Sequence, residues 1–236
     1  DLRMSRGLGD VYKRQFLYIR KQGLQHNRSI PVVLTIDIGN TTIGIGGFQG
    51  NKLLFIEKIS SRRPLSDAGY IEKLNMILNK HGLSAEAFEG SMISSVVPSV
   101  TAVFSSALET FLGRKPLILS HKLDLGYEIC TEFPEKVGCD RLADIAGAIS
   151  RYSLPFVTID LGTATTFNVL DENRRFLGGL ILPGVGTAHR ALLGKTAQLP
   201  KGDIHMPAHT IGANTQECIT GGMLLGNACA IDGLIR

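Results

Sequence analysis

The stretch TIDIGNTT, residues 35–42, decides how the chain begins to fold. It continues the apolar run at 32–34, so we expect a buried strand that ends on one carboxylate, Asp37, and one glycine, Gly39. Two interpretations fit this ending. The glycine, the carboxylate and the hydroxyls that follow can hold a nucleotide phosphate and Mg²⁺. Alternatively, Gly39 and Asn40 can form a hairpin turn that requires positive φ.

The same motif occurs a second time, as TIDLGTAT at residues 158–165. Each copy follows an apolar run and precedes an alternating strand. Two copies in the same context indicate a duplicated unit and favour the phosphate interpretation. Strands that alternate with helices after an opening meander predict an α/β layer fold. We place the boundary near Ser150, between an N-terminal domain at 31–150 and a C-terminal domain at 151–236.

Hydrophobic periodicity and turn residues predict the individual elements. The expected strands lie at 32–39, 42–48, 52–60, 91–97, 116–120, 154–162, 165–171 and 175–182. The expected helices lie at 66–82, 99–113, 139–152, 187–197 and from 212 onward. Residues 123–137 show no regular pattern, so we expect turns there.

Charge is distributed unevenly along the chain. The formal net charge is +4, but residues 1–30 hold seven of the 25 Lys and Arg residues and two of the 21 acids. The remainder is nearly neutral, which argues against a nucleic-acid partner. Residues 1–30 form a basic arm that lacks the apolar region of a signal peptide, and we expect it to be disordered or non-native.

The cysteines and the short apolar runs indicate a cytoplasmic protein. The four cysteines show no CxxC spacing, which is typical of reduced thiols in the cytosol. The apolar run at 16–19 is far too short to span a membrane, and we expect no membrane partner.

A second group of polar residues begins the amphipathic helix at 139–152. Asp140 can cap this helix and favour its dipole, or it can act as a general base beside an anionic substrate held by Arg141. The local sequence by itself favours the cap. At the start of the last helix, Asn214 and Thr215 are likewise expected to cap.

Several stretches occur in the order found in one family: DIGNT (37–41), GCDR (138–141), DLGTATTFNVLD (160–171), FLGGLILPGV (176–185), LP (199–200) and IGANT (211–215). From residue 32 to 236 the chain resembles the type III pantothenate kinases, of the acetate and sugar kinase, Hsp70 and actin superfamily. The resemblance implies an α/β fold of duplicated ribonuclease-H-like (actin-like ATPase) domains, with mixed five-stranded sheets flanked by helices. It also implies ATP-dependent phosphorylation of pantothenate to 4′-phosphopantothenate, the first step of coenzyme A biosynthesis. The implied cofactors are Mg²⁺ and a monovalent cation, K⁺ or NH₄⁺, and the implied assembly is a homodimer.

The resemblance also implies roles for residues at matching positions. The ATP phosphates would be bound by the first loop, with Asp37 near Mg²⁺; its residues are Asp37, Ile38, Gly39, Asn40, Thr41, Thr42, Ile43 and Gly44. Thr163 would bind ATP and Asp160 the monovalent cation. The residues that would bind pantothenate are Gly138, Cys139, Asp140, Arg141 and Thr215. Asp140 would take the proton from the primary hydroxyl of pantothenate, and this context changes our interpretation of Asp140 from cap to base.

The sequence departs from the family pattern in two ways. Nine residues before the base, the family usually has a tyrosine that contacts pantothenate; here the residue is Thr131, and Tyr127 is out of register. Family members also continue beyond the position of Arg236, so we expect a truncated C-terminal domain. The alternative function is a non-catalytic transcriptional accessory factor, because the family includes Bvg accessory factor proteins. The intact carboxylates of the loops favour catalysis.

Overall fold

A computed structural model describes residues 32–50, 52–195 and 202–236. The basic arm expected at 1–30 lies outside these residues. The strands in the described part are β1 (Val32–Ile38), β2 (Thr42–Gln49), β3 (Lys52–Ser60), β4 (Phe88–Ser95), β5 (Leu117–Ile118), β6 (Glu128–Ile129), β7 (Phe156–Leu161), β8 (Ala164–Leu170) and β9 (Arg175–Pro183). The α-helices there are α1 (Asp67–Lys80), α2 (Pro98–Leu112), α3 (Cys139–Ile149), α4 (Val185–Lys195) and α5 (Thr215–Ile235).

The first sheet is mixed and has five strands in the order β3-β2-β1-β4-β5. β1 pairs antiparallel with β2, and β2 pairs antiparallel with β3, which confirms the expected meander. On its other side β1 pairs parallel with β4, so that Ile36 lies between Ile45 and Ile93. β1 is therefore the central strand, and its buried, β-branched sequence suits that position.

Helices cover both faces of this sheet. On one face, α1 and α2 pack over the side chains of Leu34, Ile36 and Ile38. On the other face, α3 packs over Val33 and Met92. Successive side chains of a strand point to opposite faces of the sheet. The even-numbered residues of β1 therefore face α1 and α2, and the odd-numbered residues face α3.

Local sequence signals explain where the first two helices begin and end. The Ser66 side chain caps α1 by accepting a hydrogen bond from the Gly69 amide, as expected from its position. Gly82 follows that helix with φ of 65°. α2 begins at Pro98, whose fixed φ suits a first turn, and ends before Gly113, which is left-handed with φ of 66°.

The second sheet has four strands in the described part of the chain, in the order β6-β9-β8-β7. The hairpin strands β8 and β9 were expected from their alternation, whereas β6 falls in the segment expected to be irregular. β6 consists only of Glu128 and Ile129, which pair with Arg175 and Phe176 of β9. Two residues are too few to produce a strand periodicity, which explains why the sequence did not reveal this strand.

The chain divides into two compact units. One extends up to Phe156 and includes Leu170–Leu177, and the other consists of Val157–Val169 and Gly178–Arg236. In the second unit, α5 is capped by Asn214, whose side chain accepts a hydrogen bond from the Glu217 amide. Within the described residues, α5 is long and apolar enough to cross a membrane, judged by length and composition alone.

Candidate active site

The first loop connects β1 to β2 without the positive φ angles that a glycine-dependent turn requires. The Gly39 amide donates a hydrogen bond to the Thr42 carbonyl at 2.9 Å, and the Ser61 amide donates to the Thr41 carbonyl at 3.1 Å. Neither Gly39 nor Asn40 has positive φ, so the hairpin-turn interpretation in that form is wrong. A Cβ on Gly39 would lie 3.3 Å from the Thr42 oxygen, which is tight. Gly39 therefore allows the backbone at the two ends of the loop to approach closely.

Asp37 lies on the α3 face of the first sheet, at the carboxyl end of β1. Its partner on β2 is Gly44, and its partner on β4 is Ser94. One step back along β1, Thr35 donates a hydrogen bond to the Gly46 carbonyl at 3.1 Å. Because Gly44 and Gly46 have no side chains, β2 leaves space beside Asp37 on this face. The carboxylate is half-buried and sits where a small, charged ligand can approach it.

The start of α3 is tied to the same edge of the first sheet. The Cys139 thiol donates a hydrogen bond to the Leu119 carbonyl at 3.1 Å, and the Leu119 amide donates to the Ile93 carbonyl of β4 at 2.8 Å. The Ser95 amide also reaches the Cys139 sulfur, and Ser95 pairs with Ile38 at the end of β1. Burial raises the pKa of the Cys139 thiol, which keeps its proton available for donation.

Asp140 is not the cap of α3. The N-cap is Gly138, which has no side chain to donate or accept, and Asp140 is the second residue of the helix. Its Oδ1 accepts a hydrogen bond from the Arg141 amide at 2.8 Å and lies close enough to Gly138 that a Cβ there would clash with it. The capping interpretation is therefore wrong, although a carboxylate in the first turn still favours the helix dipole.

Arg141 is held against an aromatic ring. Its guanidinium lies over Phe176, with Cζ 5.3 Å from the ring centroid, and Phe176 is fully buried. Partial burial lowers the pKa of Arg141, and the nearby Asp140 carboxylate opposes that shift. An arginine remains charged at neutral pH despite such a shift, so this side chain offers a stacked, preorganised cation to an anionic group.

Tyr127 does not replace the tyrosine that the family has at the position of Thr131. Its hydroxyl donates to the Leu142 carbonyl inside α3 at 2.9 Å. Burial and the carboxylate of Asp144 raise its pKa far above the usual range. Tyr127 therefore anchors α3. The Thr131 hydroxyl is buried and has no hydrogen-bond partner.

The second loop, in the second unit, closes its hairpin differently from the first. The Gly162 amide donates to the Ala164 carbonyl at 2.9 Å, so the bond joins residues two apart rather than three. The Thr163 carbonyl accepts from the Gly184 amide at 3.0 Å and from the Thr187 hydroxyl at 2.7 Å. The start of α4 thus fixes the backbone of Thr163, while its side chain stays exposed.

Asp160 precedes this second loop, in the position that Asp37 has before the first. Its Oδ2 would lie 3.2 Å from a Cβ on Gly162, so the missing side chain leaves space beside the carboxylate. Thr215 is the first residue of α5 and is exposed, beside the capping residue Asn214. The capping role expected at this helix start therefore belongs to Asn214, and Thr215 remains a predicted substrate contact.

No three His, Cys, Asp or Glu side chains in the described ranges come close enough to hold a metal ion by themselves. Beside nucleotide phosphates, Mg²⁺ is usually held by one or two carboxylates together with the phosphates. Sequence reasoning missed Ser94 and Phe176 as neighbours of the site. The sequence did carry a signal for Ser94. The SMISS stretch at 91–95 ends a strand with serine hydroxyls, much as the hydroxyls of Thr41 and Thr42 follow the first strand.

The α/β architecture, with an Asp-x-Gly loop after a strand in each unit, is that of the actin-like ATPase fold. The mixed first sheet of five strands and its flanking helices confirm the expected fold class, whereas the second sheet has four strands in the described residues rather than the expected five.

The chain belongs to the type III pantothenate kinase family, whose model matches residues 33–236. It is 36% identical over 205 residues to the type III pantothenate kinase of Thermomicrobium roseum, covering 87% of this chain and 79% of that protein. It is 38% identical over 192 residues to that of Bifidobacterium animalis subsp. lactis, covering 81% of this chain and 76% of that protein.

Among solved structures, it resembles a Campylobacter jejuni protein described as a Baf family transcriptional activator. The TM-score is 0.50 at 16% identity, with 85% of this chain and 78% of that chain covered. At this identity the likeness shows a shared fold and nothing about function.

Proposed function

We propose the residue roles by which this chain carries out its family's reaction, the ATP-dependent phosphorylation of pantothenate in coenzyme A biosynthesis. The observation that carries the proposal is the placement of Asp140 and Arg141. They begin a helix whose first residue, Cys139, is hydrogen-bonded to the carboxyl edge of the sheet that ends in Asp37. A candidate base and an anion-binding arginine therefore lie on the edge that carries the first phosphate loop.

Asp140 is the general base of this mechanism. It accepts the proton of the primary hydroxyl of pantothenate while that oxygen forms a bond to the γ-phosphorus of ATP. The bond between this phosphorus and the β–γ bridging oxygen breaks, and ADP leaves. The hydrogen bond from the Arg141 amide to Oδ1 supports this role, because it fixes the orientation of the carboxylate. General bases contribute about 10²–10⁴ in rate.

Pantothenate carries a carboxylate, which suits Arg141. The stacking of its guanidinium on Phe176 supports this assignment, since a restrained arginine loses less side-chain entropy on binding. We assign the remaining pantothenate contacts to Gly138, Cys139 and Thr215 by the family resemblance. Thr131 is smaller than the usual tyrosine and its hydroxyl is buried, so we assign no pantothenate contact to this position.

The first loop, from Asp37 to Gly44, binds the ATP phosphates with its backbone amides and the hydroxyls of Thr41 and Thr42. Mg²⁺ fits here when it is shared between Asp37 and the phosphates. The space left by Gly44 supports that fit. When bound, Mg²⁺ neutralises charge on the phosphates.

In the second unit, Thr163 binds ATP and Asp160 binds the monovalent cation. The space that Gly162 leaves beside the Asp160 carboxylate supports the cation assignment. The two hydrogen bonds that hold the Thr163 carbonyl support the ATP assignment, because they fix the loop before a ligand arrives.

We also propose that the protein is a cytoplasmic homodimer with two ribonuclease-H-like domains, divided near Ser150. Its partners are pantothenate and ATP, with no nucleic acid and no membrane. We assign the apolar helix α5 to the kinase fold, since the family match extends through residue 236. The transcriptional alternative is not favoured, because the curated relatives are named as kinases and the Baf likeness reaches only the fold.

A coupled assay of ADP release tests the proposal, with ATP and pantothenate and a titration of K⁺. ADP release is expected to depend on pantothenate and to rise with K⁺. The Asp160→Asn variant should lose most of the K⁺ response while its folding is unchanged. A chain that releases no pantothenate-dependent ADP at any K⁺ concentration would refute the kinase assignment.

A further inference from the structure

Two serines of β4 are buried and have hydroxyl groups without hydrogen-bond partners. Ser94 is 0% exposed and Ser91 is 1% exposed. An unsatisfied buried hydroxyl is costly, so each such group calls for a physical reason. The two serines are three residues apart, and side chains alternate along a strand, so they point to opposite faces of the first sheet.

Ser91 lies on the face of the first sheet that α1 and α2 cover. Its partner on β1 is Leu34, which packs in the core formed with α1 and α2. No polar function of the site is assigned to that face. A buried hydroxyl there is a packing compromise, and Ser91 provides a matched control on the same strand.

Ser94 lies on the α3 face, directly beside Asp37. The two residues are register partners in the parallel pair β1–β4, so their side chains point the same way. Paired strands are about 4.8 Å apart, which places a serine hydroxyl within reach of a neighbouring carboxylate after a change of rotamer. The Ser94 hydroxyl is also too deeply buried to contact a ligand itself. If Ser94 affects ligand binding, it must therefore do so by contacting a neighbouring side chain that binds the ligand.

We propose that Ser94 is a positioning residue for Asp37, donating a hydrogen bond to its carboxylate when the first loop holds nucleotide and Mg²⁺. This inference rests on the proposed role of that loop. The hydrogen bond fixes which carboxylate oxygen faces the ligand. It also gives the buried hydroxyl the partner that it otherwise lacks. Outer partners of metal-binding carboxylates typically change metal affinity by about 10–100-fold.

Calorimetric titration with ATP, with Mg²⁺ and then with EDTA, tests the proposal on wild type, Ser94→Ala and Ser91→Ala. Ser94→Ala should weaken magnesium-dependent ATP binding by about tenfold and leave binding in EDTA unchanged. Ser91→Ala should bind like wild type. Both variants should unfold at the wild-type temperature or above it, since each removes an unsatisfied buried hydroxyl.

A double-mutant comparison shows whether Ser94 acts through Asp37. In an Asp37→Asn background, adding Ser94→Ala should change ATP binding no further. Equal losses in both backgrounds, or equal binding by Ser94→Ala and Ser91→Ala, would overturn the proposal. So would a wild-type chain whose ATP binding does not depend on Mg²⁺. Pantothenate is absent from these titrations, so failure of the kinase assay is a separate result.

Discussion

Replacing Gly184 with alanine should damage the second loop, because there is no room for a side chain there. The added Cβ would lie 2.8 Å from the Thr163 oxygen and 2.9 Å from the Thr163 carbonyl carbon, and it would overlap the Gly162 oxygen. All three are backbone atoms, so relief requires the main chain to move. Overpacking of this kind costs about 1–3 kcal/mol. For a chain of this size, the midpoint of thermal unfolding should fall by roughly 2–12 °C.

Gly186→Ala is the matched control for this change. Gly186 lies two residues further on, within α4, and an added Cβ would meet only the Arg190 side chain, at 3.4 Å. That side chain is flexible and can move. Because alanine is favoured over glycine in helices by up to about 1 kcal/mol, Gly186→Ala should unfold at the wild-type temperature or slightly above it.

Thermal unfolding followed by circular dichroism, together with the KM for ATP, distinguishes the two variants. Gly184→Ala should also raise the KM for ATP, because the displaced backbone carries Thr163. Gly186→Ala should keep the wild-type KM. If both variants unfold at the same temperature and keep the same KM, the close packing of Gly184 on the second loop has no energetic consequence and the reasoning is refuted.

Three further changes test the first unit and α5. Asp140→Asn should lower kcat by about 10²–10⁴. The unfolding temperature should fall only slightly, since the change removes a favourable charge from the first turn of α3 but no capping hydrogen bond. A near-normal kcat would remove Asp140 as the base. Arg141→Lys should raise the KM for pantothenate about tenfold. Lysine lacks the planar guanidinium that donates two hydrogen bonds to one carboxylate and packs on Phe176. An unchanged KM would show that another group binds the carboxylate of pantothenate. Asn214→Ala should destabilise α5 by about 1 kcal/mol, measured as a fall in unfolding temperature, whereas Asn214→Asp should preserve it.

The first sheet could be predicted almost completely from the sequence. The strands β1, β2 and β3 fall where alternation and β-branched residues placed them, because these signals are local. β5 was also expected, at 116–120, and forms at Leu117–Ile118. β6 of the second sheet was not expected, since a two-residue strand exists only through its partner. The turn interpretation of Gly39 and Asn40 failed for a related reason. Composition allows positive φ but does not impose it, and the paired strands set the conformation of this loop.

Several properties of the candidate site also required the structure. Local sequence favoured Asp140 as a cap, yet α3 begins two residues earlier than that role requires, with Gly138 as its N-cap. Tyr127 was adjacent in sequence to the expected substrate contact, yet its hydroxyl is bonded inside α3. In both cases a shift of one or a few residues changes which group a side chain can reach, and periodicity does not resolve boundaries that finely.

The sequence by itself determined that an Asp–Gly motif ends two equivalent strands, that a helix starts with Asp140 and Arg141, and which family has these motifs in this order. These features lie within short segments, so the residue order alone reveals them. Only the tertiary structure decided that Arg141 stacks on Phe176 and that Ser94 lies beside Asp37. Those neighbours are 35 and 57 positions apart in the chain. Their contact depends on strand register and helix packing, which are set by the buried core as a whole.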